Sequence, residues 1–429
     1  MSKIIVKKSP ALKGCVEVSG SKNAVLPLLA ATLLTEDECV IGDVPDLKDV
    51  DVMCMLLESF GAKVTVDKVQ KTIHVQAKKI RKGEVPEDLV MSMRASVVAM
   101  GPVLARTGYA KLPLPGGCAI GERPIDLHLK GFHALGADVE TETETKEEVR
   151  QSGYVLAKTK HLRGAEIYLD TPSVGATENI MLAASLATGM TILENAAEEP
   201  EIIDLANYLN KMGARIKGAG TNIIKIEGVS KLHGAKHSVI PDRIEAGTYM
   251  LAAAITKGDV LITNMLPNHV KPVIAKLREC GVSVEDTDEG TRVFVKSRQH
   301  LSATNIKTLP YPGFPTDMQP QFMTFLSMVS GSSIILESVF ENRFMHIAEL
   351  NKMNANIIEN GRKAIIPGGG KLVGAEVKAT DLRAGAALIL AGLAAKGTTE
   401  ISDIYHIERG YDNIVGKLAS LGANAKIVE

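Results

Sequence analysis

Charged side chains recur where helices are predicted to begin. In the more apolar helices these positions hold Lys22 with Asn23, Arg94, Ser173 to Gly175, Asp242 with Arg243, Thr316 with Asp317, and Asp381 with Arg383. In a second set of helices they hold Glu199, Arg343 and Arg409. Helix N-termini offer free N–H groups, so several directed at one place form an anion site. Because the helix dipole disfavours cations there, five or six of them indicate a ligand with several negative charges.

The aspartate, serine and threonine residues at these positions also have a structural interpretation. Each is a common N-cap, whose side-chain oxygen accepts a hydrogen bond from a free N–H of the first turn. Taken one at a time, they are more simply caps than ligand-binding residues. The cations therefore carry the prediction of a binding site.

The segment LPLPGGCAIGERP, residues 112–124, is unlike the rest of the chain. It contains three prolines, and two adjacent glycines precede Cys118. This composition disfavours a helix or central strand and supplies hinges, so it predicts a mobile lid. Most single cysteines are small core residues. A cysteine on such a loop, followed by Arg123, is instead expected to be exposed and reactive, because a nearby cation lowers a thiol pKa.

The elements that position these residues repeat along the chain. Six helices end in a small turn residue followed by a strand, and these residues lie about 70 positions apart: Gly61, Gly136, Gly213, Gly281, Asn354 and Gly422. Glycine or asparagine suits the left-handed conformation that ends many helices. A second pattern, with L-x-G-A-like turns as in HLRGAEIYL and KLVGAEVKA, leads each time into an apolar helix. Each repeat thus contains strands and two helices. Six such repeats predict an α/β protein whose helices pack inside sheets.

The repeats divide into two groups of three near residue 230. We predict one lobe at 20–229, carrying the Cys118 loop, and a second at 1–19 plus 230–429. The second lobe is discontinuous if the alternating strands at the N-terminus pair with the last repeat. A cleft between the lobes is then the expected active site.

Composition excludes several classes of function. The 429 residues carry a formal net charge of -1, which does not favour nucleic acid or an anionic membrane as a partner. The apolar run from Ala384 to Ala395 is shorter than the roughly 20 residues needed to span a bilayer, so no membrane insertion is expected. Five cysteines without CxxC spacing favour a reducing compartment, and we expect a cytoplasmic protein.

No metal or cofactor is expected either. The sequence has no HExxH or paired-cysteine signature, and His346 with Glu349 reads as a pair on a helix surface. The glycines at 368–374, in GGGKLVG, lack the spacing of a phosphate-binding loop and read as a hairpin turn. The sequence does not indicate an oligomeric state.

Across nearly its whole length the chain resembles the UDP-N-acetylglucosamine 1-carboxyvinyltransferases, a family of enolpyruvyl transferases. The resemblance is carried by GSKNA, MRAS, LPGGCAIGERPIDLH, SVGATEN, PDRIEAGTYM, YPGFPTDMQPQF, FENRFMHIAEL, ATDLRAGAALILAGLAA and RGYDN. It implies a two-lobed inverse α/β barrel made of six βαβαββ repeats. It also implies transfer of the enolpyruvyl group of phosphoenolpyruvate to the 3-hydroxyl of UDP-N-acetylglucosamine, the first committed step of peptidoglycan synthesis.

The resemblance also implies roles for individual residues. The phosphate and carboxylate of phosphoenolpyruvate would be held by Lys22, Asn23, Arg123 and Arg409, with help from Arg343, Asp381 and Arg383. The UDP-sugar would be held by Arg94, Arg123, Pro124, Ile125, Asp126, Leu127, Ser173, Val174, Gly175, Asp317 and Val339. Cys118 matches the cysteine that the family uses as a proton donor and that fosfomycin alkylates.

The chemistry requires an acid at C3 of phosphoenolpyruvate, a base for the sugar hydroxyl, and fixed cations for the departing phosphate. Cys118, Asp317, and Lys22 with Arg409 would fill these catalytic roles. Two other functions stay open from the residues: the related transferase of the shikimate pathway, which uses another acceptor, and a non-catalytic repeat scaffold. The Cys118 loop and RPIDLH argue against the first, and the cations at helix starts against the second.

Overall fold

The computed structural model describes residues 2–81, 85–86, 89–90, 93–113, 125–144, 152–296 and 299–429. Its α-helices are α1 (Lys22–Ala31), α2 (Lys48–Ser59), α3 (Met100–Thr107), α4 (Asp126–Ala134), α5 (Val174–Ala184), α6 (Pro200–Lys211), α7 (Arg243–Ile255), α8 (Lys271–Glu279), α9 (Gln319–Leu326), α10 (His346–Lys352), α11 (Leu382–Ala394), α12 (Tyr405–Glu408) and α13 (Ile414–Ser420). Turns of 3-10 helix at Arg94–Ala99 and Thr316–Met318 lead into α3 and α9.

The strands of the described residues form six sheets. In chain order they are β1 (Lys3–Lys7), β2 (Lys13–Glu17), β3 (Glu38–Gly42), β4 (Lys63–Asp67), β5 (Thr72–Gln76), β6 (Tyr109–Pro113), β7 (Asp138–Glu144), β8 (Ser152–Lys158), β9 (Glu166–Tyr168), β10 (Met190–Glu194), β11 (Arg215–Lys217), β12 (Ile223–Glu227), β13 (Lys236–Ser238), β14 (Asp259–Thr263), β15 (Ser283–Thr287), β16 (Gly290–Phe294), β17 (Ile306–Lys307), β18 (Ser333–Leu336), β19 (Ile358–Asn360), β20 (Lys363–Ile366), β21 (Glu376–Lys378), β22 (Thr398–Ser402) and β23 (Ala425–Val428).

The chain forms two compact units. The continuous unit contains the described residues of 20–240, and the split unit contains those of 2–19 and 241–429. The sequence-based division placed residues 230–240 in the other lobe. They lie in the continuous unit because β13 pairs in parallel with β3.

Each unit has three sheets around helices that are buried on nearly every side. The continuous unit has the sheets β13-β3-β5-β4, β6-β8-β7 and β11-β12-β10-β9. The split unit has β15-β16-β14-β2, β17-β18-β20-β19 and β21-β22-β1-β23. Every residue from Ala176 to Ala184 in α5 is buried, as is every residue from Arg383 to Leu393 in α11. α8 instead buries one face, through Val273, Ile274 and Leu277. A helix that is apolar all round must be interior, whereas an amphipathic helix covers the outside.

Two strands are exchanged between otherwise equivalent sheets. In three repeats the strand before the inner helix pairs in parallel with the strand after it: β9 with β10, β17 with β18 and β21 with β22. β2 precedes α1 but pairs with β14, which follows α7. Reciprocally, β13 precedes α7 but pairs with β3, which follows α1. The two N-terminal strands therefore do not pair with each other: β1 joins the last repeat and β2 the fourth.

The repeated turns have a common geometry. All six predicted turn residues have positive φ, from 70° at Asn354 to 100° at Gly213. The glycine of the L-x-G-A turn has a different role, since a Cβ on Gly164 or Gly374 would clash with the carbonyl of Met190 or Thr398, respectively. The interpretation of residues 368–374 as a hairpin turn is wrong, because they connect β20 and β21, which lie in different sheets.

Candidate active site

The best-defined cluster of candidate residues lies in the split unit around Asp317. This residue is in the 3-10 turn that leads into α9. Its Oδ1 accepts a hydrogen bond of 3.0 Å from an Nη of Arg343. Its Oδ2 accepts from Nε of Arg383 at 3.1 Å and from an Nη of the same residue at 3.0 Å. The three residues are brought together from three separate chain segments, and we call them the Asp317 cluster.

The cations of this cluster are more deeply buried than the anion. The side chains of Arg343 and Arg383 are 2% and 3% exposed, whereas that of Asp317 is 24% exposed. Although burial opposes the charge, the carboxylate of Asp317 raises the pKa of the Arg383 guanidinium above its usual range. Arg383 is therefore a permanent cation, and both guanidinium groups lie deeper than the carboxylate that binds them.

Arg383 is supported from behind by a buried polar network. Its guanidinium carbon lies 5.4 Å from the centre of the Tyr411 ring. The Tyr411 hydroxyl is 3.0 Å from Oγ1 of Thr248 on α7 and accepts a 3.1 Å hydrogen bond from Nε2 of Gln321 on α9. Burial raises the pKa of Tyr411, with the Arg383 charge opposing it. The network fixes the plane of the guanidinium from two neighbouring helices.

Glu337, at the end of β18, organises the other side of the cluster. Its side chain is buried, and its Oε2 accepts a 2.9 Å hydrogen bond from the hydroxyl of Thr316, which precedes Asp317. Its Oε1 accepts from the hydroxyl of Thr308 at 2.7 Å and from the backbone N–H of Val339 at 2.8 Å. One carboxylate thus positions both the Asp317 turn and Val339, a predicted UDP-sugar ligand. Glu337 could not be selected from the sequence, since a glutamate that follows a strand gives no distinctive signal.

The interpretation of His346 and Glu349 as a helix-surface pair is wrong. His346 is fully buried at the start of α10, and Glu349 is also buried. Burial lowers the pKa of His346 to about 4, with Asp381 opposing this and Arg343 adding to it. The Glu349 carboxylate binds Lys352 and the backbone N–H of Lys378 instead. His346 is therefore a neutral imidazole beside the Asp317 cluster.

Four polar residues at helix starts act as N-caps. Oδ1 of Asp381 accepts from the backbone N–H groups of Arg383 at 2.8 Å and Ala384 at 3.1 Å. Ser21, Ser173 and Asp242 cap α1, α5 and α7 in the same way. Asp381 therefore holds the helix turn that carries Arg383. Asp317 binds the two arginines.

Arg409 and Arg343 do not stand where the helix pattern placed them. Arg409 is the C-cap of the short helix α12, and four residues separate it from Ile414, the first residue of α13. Arg343 lies in the turn before α10, three residues ahead of His346. A cation at a helix C-terminus is favoured by the dipole. The position of Arg409 is therefore favoured by the helix dipole, and it does not by itself indicate an anionic ligand.

In the continuous unit, Lys22 already has a counter-charge. Its Nζ lies 2.7 Å from Oδ2 of Asp49 on α2, and the side chains are 13% and 3% exposed. Asn23 follows Lys22 in the first turn of α1 and is half-buried. This predicted phosphate-binding lysine is thus held at a helix start by an acidic partner.

Two further helix starts meet in this unit. α4 begins after Ile125, at Asp126 and Leu127, and α5 begins after Ser173, at Val174 and Gly175. A Cβ on Gly175 would lie 3.2 Å from Cε1 of His128, so only glycine lets the imidazole pack this closely. The six predicted ligands therefore lie on two adjoining helix N-termini.

Asn179, which the sequence analysis did not select, joins this region to the turn that begins at Arg94. It is fully buried, and its Oδ1 accepts a 2.7 Å hydrogen bond from the N–H of Gly101. Its Nδ2 donates to the carbonyl of Val97 at 2.9 Å and lies 2.9 Å from Nδ1 of His128. The motif SVGATEN contains this asparagine, but only the packed helices show which groups it satisfies.

The same motif contains a buried acid. Glu178 on α5 is 6% exposed. Burial raises its pKa well above the ordinary value, and the nearby carboxylates of Glu201 and Glu199 raise it further. The protonated form of Glu178 is therefore favoured inside the continuous unit.

Some predicted site residues lie outside the described residues. These are Cys118, Arg123 and Pro124, and the side chain of Arg94 is likewise not described. Among the described cysteines, Cys39, Cys54 and Cys280 are buried and Cys15 is exposed. Burial raises the pKa of Cys54 and of Cys280 to about 12. The buried thiols are thus unreactive at neutral pH.

Within the part of the chain that the structure describes, several buried polar atoms near the Asp317 cluster have no hydrogen-bond partner. They are Nε of Arg343, an Nη of Arg383, both ring nitrogens of His346, both amide atoms of Gln319, Oε1 of Gln321 and Oγ1 of Thr380. Buried polar groups in proteins are normally satisfied. Their concentration at the starts of α9, α10 and α11 is typical of a site for a polar ligand.

The described residues contain no group of three or more histidine, cysteine, aspartate or glutamate side chains arranged to hold a metal ion. None of the helices described above is both long enough and apolar enough to cross a membrane.

Comparison with known proteins identifies the family. The family described as EPSP synthase (3-phosphoshikimate 1-carboxyvinyltransferase) matches residues 6–418. The chain is 58% identical over 422 residues to UDP-N-acetylglucosamine 1-carboxyvinyltransferase 1 of Caldanaerobacter subterraneus subsp. tengcongensis, covering 98% of each chain. It is 53% identical over 430 residues to UDP-N-acetylglucosamine 1-carboxyvinyltransferase of Finegoldia magna, covering 100% of this chain and 99% of that one.

Solved structures agree on the fold. The enolpyruvyl transferase NikO from Streptomyces tendae is 25% identical and superposes with a TM-score of 0.87, over 100% of this chain and 99% of that one. EPSP synthase from Acinetobacter baumannii, at 19% identity, superposes with a TM-score of 0.75 over all of both chains. The predicted inverse α/β barrel fold is thereby confirmed. The chain belongs to the UDP-N-acetylglucosamine 1-carboxyvinyltransferases, within the EPSP synthase family.

Proposed function

We propose that this protein transfers the enolpyruvyl group of phosphoenolpyruvate to the 3-hydroxyl of UDP-N-acetylglucosamine and releases phosphate. The product enters peptidoglycan synthesis at its first committed step. The observation that carries the proposal is the Asp317 cluster, where a carboxylate that reaches solvent is bound to two buried guanidiniums. A donor with a phosphate and a carboxylate requires fixed cations, and a hydroxyl acceptor requires a base.

In the first half of the reaction, a proton adds to C3 of phosphoenolpyruvate and the sugar 3-hydroxyl oxygen bonds to C2. The hydroxyl proton passes to Asp317, the general base in this scheme. Arg343 and Arg383 then hold the anionic groups of the donor, helped by Lys22 and Arg409. Because the two arginines are buried and already oriented, they stabilise charge without reorganising at the moment of reaction.

In the second half, C3 returns a proton to the Cys118 thiolate that the first half leaves, and the C2–O bond to phosphate breaks. Phosphate departs with the electron pair of that bond, which restores the enol ether on the sugar. Cys118 is the proposed proton donor to C3, as the family resemblance implies. The acceptor is held in this proposal by the helix starts at residues 125–127 and 173–175, with Arg94, Arg123, Pro124 and Val339. Free N–H groups at these helix starts suit the diphosphate of UDP.

We also place the enzyme in the cytoplasm. Cys15, Cys39, Cys54 and Cys280 are free thiols, which suits a reducing compartment. Both proposed substrates are small molecules, and the reaction as written needs no cofactor or metal.

The test is a product assay with two acceptors. Purified protein is incubated with phosphoenolpyruvate and either UDP-N-acetylglucosamine or shikimate 3-phosphate, and phosphate release and product mass are followed. We expect phosphate release in equal amount to enolpyruvyl-UDP-N-acetylglucosamine, and none with shikimate 3-phosphate. Turnover with shikimate 3-phosphate alone would favour the shikimate-pathway transferase. Turnover with neither acceptor would favour the scaffold interpretation.

A further inference from the structure

The Asp317 cluster has an unusual order of burial. An anion-binding site usually presents its cations to solvent, but here the side chains of Arg343 and Arg383 are at most 3% exposed. The carboxylate that both bind is 24% exposed. An anion arriving from solvent therefore meets Asp317 first. It reaches the guanidinium groups bound by Asp317 only after the carboxylate has moved away.

The two guanidinium groups have N–H donors that Asp317 does not use, so they can bind an anion with more charge and more oxygen atoms than a carboxylate. The carboxylate takes one N–H group of Arg343 and two of Arg383. Nε of Arg343 and an Nη of Arg383 have no hydrogen-bond partner among the described residues. Two positive charges and one negative charge leave the cluster with a net charge of +1. A ligand with more charge and more oxygen atoms than a carboxylate can satisfy donors that Asp317 does not.

We propose that Asp317 is a specificity-determining residue as well as a base, because it competes with external anions for Arg343 and Arg383. The inference rests on the proposed function, since that function assigns the two arginines to the anionic donor. A singly charged anion only replaces one carboxylate by another and gains little. A multiply charged anion attracts both guanidiniums more strongly than the carboxylate does, since Coulomb energy scales with the charge.

This competition serves the reaction in two ways. It keeps the buried arginines from binding the singly charged anions that are abundant in a cell. It also releases the carboxylate only when the donor is bound, because an Asp317 oxygen that has lost a guanidinium is free to accept the hydroxyl proton. Donor binding and activation of the base then become the same event.

The experiment compares anion binding to the wild type and to Asp317→Asn by titration calorimetry. The probes are sulfate as a dianion and formate as a small singly charged carboxylate, in the absence of both substrates. The wild type is expected to bind sulfate measurably and formate too weakly to saturate. Asp317→Asn, which keeps the shape but not the charge, is expected to bind both anions about tenfold tighter or more, so that formate binding becomes measurable.

Two controls make the result specific. Asp259→Asn removes an exposed carboxylate that binds Arg292 with two hydrogen bonds, and it should leave both affinities within twofold of wild type. Asp317→Glu keeps a competing charge, so its formate binding should stay weak. The Glu variant also provides the test if the Asn variant does not fold, because formate binding that becomes measurable in Asp317→Glu would overturn the proposal.

Unchanged or weaker sulfate and formate binding in a folded Asp317→Asn would also overturn it, and would make the carboxylate a brace that orients the arginines. Turnover of the wild type, measured on the same preparation, judges the proposed function separately. A protein without transferase activity whose Asp317→Asn variant gains anion affinity would refute the function and leave the competition intact.

Discussion

The two units present their polar groups in opposite ways. In the split unit the Asp317 cluster consists of full charges, two buried guanidiniums and one carboxylate, with Tyr411 packed against Arg383 and Glu337 bound to the turn that contains Asp317. In the continuous unit the adjoining starts of α4 and α5 offer mostly backbone N–H groups, positioned by side chains such as Asn179 and His128. Fixed charges suit a small, highly charged donor and its proton transfers. Backbone N–H groups suit a larger acceptor substrate, which must be bound and oriented.

Because the Asp317 cluster supplies the proposed base, its carboxylate should matter most to turnover. Asp317→Asn should lower kcat by on the order of 10²–10⁴-fold, because an amide cannot accept the sugar hydroxyl proton. The affinity for UDP-N-acetylglucosamine should fall much less. Single-turnover kinetics with saturating substrates would measure this. Wild-type turnover in the variant would remove Asp317 as the base, while leaving its competition with external anions to be judged by calorimetry.

Cys118 should be the reactive thiol of the continuous unit. Fosfomycin and iodoacetamide should modify it faster than any other cysteine, since burial raises the pKa of Cys54 and Cys280 to about 12 and also raises that of Cys39. Cys15 is the matched control, because it is exposed but far from a cationic loop in sequence. Peptide mass mapping after partial reaction gives the order, and preferential label on Cys15 would contradict the prediction.

Substitutions of Cys118 should separate acidity from nucleophilicity. Cys118→Asp keeps an acid and should retain activity while becoming insensitive to fosfomycin. Cys118→Ser is a far weaker acid and should lose much more activity. Equal loss in both variants would argue against proton donation.

The smallest effect is expected at Glu178, which supports the continuous unit without taking part in the reaction. Its folded-state pKa is raised above the ordinary value of 4.5 by burial and by two neighbouring glutamates. The unfolded state therefore ionises first, and stability falls as pH rises above that value, by up to about 1.4 kcal/mol per pH unit. Glu178→Gln should flatten this decline above pH 4.5. Thermal unfolding at several pH values measures it, with exposed Glu194→Gln as the control, and an unchanged decline in Glu178→Gln would refute the assignment.

Sequence patterns predicted the repeats well because each depends on local geometry. A helix end with positive φ needs glycine or asparagine, so Gly61 to Gly422 could be found without a structure. The caps at Ser21, Ser173, Asp242 and Asp381 follow from the same local rule. The exchange of β2 and β13 could not be predicted, because both strands carry the same local pattern as their unexchanged counterparts.

The site was only partly predictable for a different reason. Asp317, Arg343 and Arg383 could be selected by residue type, but their mutual contacts join segments far apart in the chain. His346 and Arg409 were misplaced because a helix boundary shifted by a few residues changes which face or end a side chain occupies. Glu337, Tyr411 and Asn179 were missed because their role is to satisfy other buried groups, and a sequence does not show which groups are buried.

The proposal that the split unit binds the donor and the continuous unit binds the acceptor is tested most directly by steady-state kinetics of Tyr411→Phe and His128→Ala. For each variant, the concentration of one substrate is varied while the other substrate is saturating. Tyr411→Phe removes the hydroxyl behind Arg383, and His128→Ala removes the ring that packs on Gly175 between the starts of α4 and α5. We predict that the first raises KM for phosphoenolpyruvate about tenfold, as expected for a hydrogen-bond network around a charged group, and leaves KM for UDP-N-acetylglucosamine within twofold. His128→Ala should raise KM for UDP-N-acetylglucosamine about tenfold and leave KM for phosphoenolpyruvate within twofold. If both variants raise both KM values equally, or if the pattern is exchanged, the proposed division is contradicted.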